Sequence, residues 1–172
     1  MNASAESVTL RSEAANDAGA VRALLIEAFG GPAEARLVER LRRDRDVVLA
    51  LVATEPVNGV IGYVAFVRLQ IDPPGGTLAI ALAPLAVAIS HRRRDIGSAL
   101  VRAGIQRLTA DREQIVFVLG DPAFYGRFGF SLEHANAFAS PYQGPHFMAL
   151  RIAASAPSRG QVCYPAAFED LG

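Results

Sequence analysis

The hydrophobic pattern starts with a short edge-strand run, Val8 to Arg11, and then takes up helical spacing. Val21, Leu24, Leu25, Ala28 and Phe29 form one apolar face, with Asn16 or Asp17 placed to cap that helix. Gly30-Gly31-Pro32 stops it and opens a second, because proline is tolerated in a first helical turn. Leu37, Val38 and Leu41 are the apolar side of this second helix. Its charged end, Arg42 to Asp46, reads as a solvated turn.

Strand patterning follows. Val47 to Ala53 runs to Pro56-Val57-Asn58-Gly59, where Asn-Gly signals a hairpin, and Val60 to Gln70 returns. Asp72-Pro73-Pro74-Gly75-Gly76 breaks the chain before a third long strand, Thr77 to Ile89. Ile96, Ala99, Leu100, Ala103, Ile105 and Leu108 mark a helix. Ile115 to Leu119 is a strand, Pro122 to Phe128 a short helix, Phe130 onward another strand, and His146 to Ile152 the last strand before a tail. One strand, two helices, three antiparallel strands, then alternation of helix and strand predict a mixed α/β (α+β) fold around a single sheet. There are no repeats and no linker, so residues 1–172 are expected to form one domain.

Composition narrows the function classes. The chain is 51% hydrophobic with formal net charge zero, which disfavours a dedicated nucleic-acid binder or a polybasic membrane binder. Every basic residue apart from histidine is arginine, so lysine Schiff-base or general-base chemistry is excluded. Cys163 stands alone and the three histidines are scattered, so neither a disulfide nor a metal site is expected. The first residues lack the apolar core of a signal peptide, and Leu78 to Ile89 is too short to span a bilayer. The expectation is a soluble cytoplasmic protein.

Two segments carry chemistry. Pro84 lies inside the third long strand and cannot donate to a ladder, so the strand should bulge there. Backbone groups of Leu85, Ala86 and Val87 would then be free to bond a ligand. That strand runs into His91-Arg92-Arg93-Arg94-Asp95-Ile96-Gly97-Ser98, ahead of an amphipathic helix. Amides converging at a helix start, beside arginines, make an anion site. The second segment is Gly120-Asp121-Pro122-Ala123-Phe124-Tyr125-Gly126-Arg127-Phe128-Gly129-Phe130.

With Phe29-Gly30-Gly31, Pro84-Leu85-Ala86-Val87 and the closing Tyr164-Pro165-Ala166-Ala167-Phe168, these segments resemble the GNAT superfamily of N-acetyltransferases, and within it the bacterial YhbS-like branch. The resemblance covers nearly the whole chain, and the Gly-Asp-Pro segment is its most specific part. It implies a mostly antiparallel sheet of six or seven strands flanked by about four helices, with strands 4 and 5 splayed. Acetyl-CoA, as cosubstrate and without a metal, would lie in that splay. Its pyrophosphate would rest on the amides from Arg93 to Ser98, with Arg92 and Arg94 adding charge. Its pantetheine arm would pair with the backbone of Leu85 to Val87, and the Val87 amide would hold the developing oxyanion. Asp121 and Phe124 would line the same cleft. Tyr125 matches the tyrosine that protonates the departing thiolate. The partner would be an amine-bearing acceptor attacking directly in a ternary complex; Glu34, His134 and His146 are candidates on its side. Similar proteins are often dimers, so a homodimer is one expected state.

One departure sets up an alternative. Asp95 replaces the first glycine of the superfamily's turn, and its carboxylate would face a diphosphate unless it turns outward to cap the helix. About tenfold weaker CoA binding is the expected consequence. The competing hypothesis is a catalytically weak or inactive acyl-CoA-binding regulatory module. A partner-binding domain without CoA affinity is the third.

Overall fold

The computed structural model describes residues 7–72 and 77–171. The break expected at 73–76, and residues 1–6 of the expected polar start, lie outside that range. Strand β1 (Thr9–Ser12), helices α1 (Ala18–Phe29) and α2 (Ala33–Arg43), and long strands β2 (Val47–Glu55), β3 (Gly59–Asp72) and β4 (Leu78–Val87) come first. Helix α3 (Ile96–Ala110), strand β5 (Ile115–Leu119), and short helices α4 (Pro122–Tyr125) and α5 (Leu132–Ala135) follow. Strands β6 (Phe138–Ala139), β7 (Phe147–Arg151) and β8 (Gly160–Cys163) precede a final 3-10 segment, Ala166–Leu171.

The strands form one sheet with the path β1-β2-β3-β4-β5-β7, antiparallel at every step except β4–β5. This is the expected mixed fold, with two short strands that the sequence pattern did not show. Strand β8 pairs with the end of β3 and with β6. It lies in what reads as a tail, because four residues are too few to display alternation. The strand expected from Phe130 is replaced by an isolated bridge, Ser131 to Ala149, and then by α5. The reason is local: the Ser131 hydroxyl accepts from the His134 amide at 3.1 Å and caps a helical turn.

Alternation along β3 assigns the faces. Phe66 lies under α3, whereas Tyr63 carries the Arg42 guanidinium of α2 at 6.0 Å from its ring. Helices α2 and α3 therefore cover opposite faces. Arg42 also pairs with Glu13, so the charged end of α2 is not wholly solvated. Asp17 does not cap α1 with its side chain. Its carboxylate accepts from Arg11 at 2.6 and 2.9 Å and from the Ala14 amide at 2.7 Å, which ties β1 to the chain entering α1.

The packing of α3 depends on Gly104. A Cβ there would meet the Phe66 ring at 2.2 Å. Both residues are interior, so neither side can give way without moving the helix. Gly104→Val is expected to destabilise by about 1–3 kcal/mol. Gly19→Ala, on the exposed side of α1 with nothing near its added carbon, should instead stabilise by about 0.5–1 kcal/mol. Urea denaturation of both variants checks the pair, and equal shifts would show that α3 sits less closely than described.

Candidate active site

The site begins with a failure of strand pairing. Strands β4 and β5 pair at Ile80–Val116, Ala81–Phe117 and Leu82–Val118, and no further. At that point Ala83 and Pro84 form a bulge, two residues opposing the single Ala65 of β3. Beyond it β4 keeps only β3, while β5 keeps β7. The Ala88 amide donates to Ile61 at 2.8 Å. Alternation in an antiparallel pair then turns Ala86 toward β3, and Leu85 and Val87 toward the open edge. Of the three residues expected to offer backbone groups, Leu85 and Val87 face the open edge and Ala86 faces β3.

That edge borders a cavity of ≈ 450 Å³. Leu85, Ala86 and Val87 form one wall, and Arg92, Arg93, Asp95, Ile96, Gly97 and Ser98 form the end at the start of α3. Asp121, Phe124, Tyr125 and Arg127 close the other side, with Ala28, Phe29 and His91. Arg93 and Asp95 have φ of 66° and 57°, which curls the turn so that α3 begins at the cavity. Asp95 makes no side-chain cap, and the first backbone bond into α3 is from Ala99 to its carbonyl. The amides of Ile96, Gly97 and Ser98 are thus the unpaired donors of a helix start. A Cβ on Gly97 would enter this space 3.6–3.8 Å from Val87, Phe124 and Leu85. The glycine is compatible with the fold either way, and its bareness keeps the cleft open.

Arg94 is the one expected cofactor residue that does not line the cavity. Its guanidinium lies 2.8 Å from the buried carboxylate of Glu55, at the end of β2. The same carboxylate accepts from Asn58 at 2.9 Å and meets His91 Nε2 at 3.0 Å. These partners, Asn58 foremost, hold the Glu55 carboxyl down to about 2, against the opposing effect of burial. Glu55 therefore anchors the turn from behind and takes one arginine out of the site. Arg92 reaches back to the carbonyls of Val87 and Ala28, both at 3.4 Å. Arg127 replaces Arg94 as the third cation: it donates to Ser98 Oγ at 3.0 Å and lies 4.9 Å from the Phe124 ring. It was legible as a basic residue two positions after Tyr125, but only the fold brings it to α3. Glu55 gave no sequence signal.

Tyr125 stands at the cavity's inner end. A Cβ on Gly120 would lie 2.4 Å from its ring, so that glycine makes the tyrosine's seat. Phe124 and Phe130 meet the ring edge-to-face at 4.8 and 5.7 Å. Burial pushes its phenol up to about 12, so the proton stays on at neutral pH. Asp121 begins α4 by accepting from the Ala123 amide at 2.9 Å.

A second cavity, ≈ 240 Å³, lies beyond Tyr125 and shares Phe29, Leu85 and Tyr125 with the first. Glu34 lines it; His134 and His146 do not. The His134 amide is used in the α5 cap, and His146 Nδ1 sits 3.2 Å from the Gly120 carbonyl. Neither histidine reaches this second cavity.

Residues 9–132 match the family model described as Acetyltransferase (GNAT) domain. The chain belongs to the GNAT acetyltransferase family. It is 43% identical over 124 residues to the uncharacterized N-acetyltransferase YhbS of Escherichia coli K12, covering 72% of this chain and 73% of that one. The uncharacterized N-acetyltransferase YjhQ of the same strain is 34% identical over 136 residues, covering 76% of this chain and 74% of its own. The crystal structure of E. coli YhbS in complex with CoA superposes with TM-score 0.89, covering 100% of this chain and 97% of that chain at 34% identity. A Brucella melitensis GNAT acetyltransferase in complex with acetyl-CoA gives TM-score 0.80 at 28% identity, covering 95% and 99%. This GNAT chain therefore shares its fold with relatives solved with CoA and with acetyl-CoA.

The Glu55 anchor has a pH signature. Its carboxyl titrates lower in the fold than in the unfolded chain, so its stabilisation is complete above pH ~4.5 and is lost as pH falls through about 2. Glu55→Gln should be less stable than the parent at pH 7, with a deficit that shrinks steadily below pH ~4.5. Denaturant midpoints across that window measure it; a deficit independent of pH would show that the carboxylate's charge is not what holds the turn.

Proposed function

We propose that residues 1–172 act as one acetyltransferase domain that moves the acetyl group of acetyl-CoA to a primary amine by direct attack in a ternary complex. The observation that carries this is convergence: an open strand edge, a helix start with unpaired amides and a protonated tyrosine all border one cleft. Under this reading the diphosphate sits on the amides of residues 93–98, with Arg92, Arg93 and Arg127 as counter-charges. The pantetheine amides extend the ladder along Leu85 and Val87. The Val87 amide holds the thioester oxygen as it gains charge. The acceptor's ammonium first loses a proton to solvent; the neutral amine then forms a bond to the acetyl carbon, the carbon–sulfur bond breaks, and Tyr125 gives its proton to the leaving sulfur. The phenolate recovers a proton from the newly acylated nitrogen, so the net result is an amide and free CoA. An enzyme using this cosubstrate works where acetyl-CoA is made, which places the proposal in the cytoplasm. Among the described residues no helix is long and apolar enough to cross a membrane.

Free-thiol release with an amine panel tests the activity, and calorimetry with acetyl-CoA tests binding separately. Tyr125→Phe should lower kcat by about 100-fold or more while leaving acetyl-CoA affinity little changed. An unaltered kcat would remove Tyr125 from the chemical step.

Asp95 favours the regulatory reading in one respect, since its carboxylate borders the diphosphate end and its backbone is left-handed. Asp95→Gly should tighten acetyl-CoA binding about tenfold, roughly 1.4 kcal/mol. Asp95→Asn keeps a side chain that tolerates this backbone and removes only the charge. Calorimetry on both divides the effect between charge and backbone. Weaker binding in the glycine variant would mean that the carboxylate organises the turn. Tight binding by either variant without turnover would support the binding module over the enzyme.

A further inference from the structure

We infer that the second cavity accepts the acceptor substrate as a small primary amine carried on an apolar or aromatic group, with Glu34 as counter-charge to its ammonium form. This deepens the acetyl-transfer reading and rests on it, because the cavity meets the cofactor cleft at Phe29, Leu85 and Tyr125, where the acetyl group would emerge.

The lining decides the class. Among the described residues around this cavity, Glu34 is the single charged side chain. Its only other polar side-chain groups are the phenols of Tyr125, Tyr142 and Tyr164. Burial pushes the Tyr164 phenol up to about 12, so that wall is uncharged at neutral pH. An α-amino acid would bring a carboxylate, and no arginine lines the space to receive it. A polyamine or aminoglycoside would bring several ammonium groups to a single carboxylate. One ammonium beside one carboxylate, with the remainder against aromatic surface, matches the inventory.

Size and rim agree. The volume of ≈ 240 Å³ falls below the ~300–1,000 Å³ typical of drug-sized ligand sites. Tyr164 packs edge-to-face on Tyr142 at 4.8 Å and on Phe168 at 5.3 Å, giving a fixed aromatic wall. Among its lining residues Phe29, Leu119 and Leu171 remain 44%, 54% and 36% exposed. Large apolar side chains left in water around one opening are surface that an apolar ligand would cover.

The test uses the full chain with phenethylamine, phenylalanine and spermidine as probes. Each is titrated calorimetrically into the protein, alone and saturated with CoA, and each is assayed for thiol release from acetyl-CoA. Phenethylamine should show a kcat/KM at least tenfold above the other two. Glu34→Gln should raise its KM about tenfold with acetyl-CoA affinity unchanged. Leu119→Arg, at an exposed position, should shift preference toward phenylalanine by supplying a cation for its carboxylate. Preference of the parent for spermidine or phenylalanine would overturn the inference. Faster transfer from octanoyl-CoA than from acetyl-CoA would also overturn it, because the cavity would then hold the acyl chain. Acetyl-CoA binding without phenethylamine binding to the CoA complex defeats this inference alone. Phenethylamine binding without acetyl-CoA binding defeats the acetyl-transfer reading and leaves the cavity's preference for apolar amines standing.

Discussion

The structure turns on a stretch of strand interior that is denied a strand partner. Backbone groups left unpaired inside a protein cost free energy, so a sheet normally closes over them. Here Ala83 and Pro84 break the register after Leu82 and prevent closure. What keeps the gap from collapsing is that each side is held by another neighbour. Strand β4 remains on β3 as far as Val87, and β5 remains on β7 as far as Leu119. The open edge is therefore a rigid feature of a well-paired sheet rather than a loose loop. Its donors are oriented before any ligand arrives, which is the condition for strong main-chain recognition.

The charges around that edge are arranged by position more than by number. Three consecutive arginines suggest a strongly positive turn, but Glu55 removes Arg94 and fixes His91 from behind. Arg92 spans from α1 to β4 through carbonyls, so it also braces the turn. Arg127 enters from the opposite wall through Ser98. The cleft is thus lined from two sides by three guanidinium groups and by the carboxylates of Asp95 and Asp121. Asp121 is partly offset by its place at the start of α4. The carboxylate without such an offset is that of Asp95, which makes no side-chain cap to α3.

Much of this was legible in the sequence because it depends on local rules. Pro84 announced the bulge, and the step from strand to basic turn to helix announced the anion end. Gly120 through Phe130 announced the tyrosine, whereas the left-handed backbone of Asp95 appears only in the fold. What could not be read depends on tertiary meetings. Glu55 looks like an ordinary strand-end carboxylate until the hairpin turn and the arginine turn converge on it. Arg127 acquires a partner only when α4 lies against α3. Strand β8 and segment Ala166–Leu171 resemble a tail until they pack against β3 and the second cavity. His134 and His146 do not line the second cavity, because nearness in sequence does not set side-chain direction.

Tyr125 links the two cavities, and its environment explains why one phenol can serve that junction. The ring is seated by a missing side chain at Gly120 and by aromatic edges from Phe124 and Phe130, none of which offers a charge. An apolar seat raises the phenol's pKa and so guarantees a proton, but it also makes a phenolate costly once that proton is given. A donor of this kind is useful only if the proton is replaced at once. The second cavity places the replacement within reach under the proposed reaction, since an amine that has just been acylated must itself lose a proton. On this account the apolar wall between the cavities and the reactivity of the tyrosine are one property: the same exclusion of charge that keeps the phenol neutral selects an acceptor whose only charge is the one it discards.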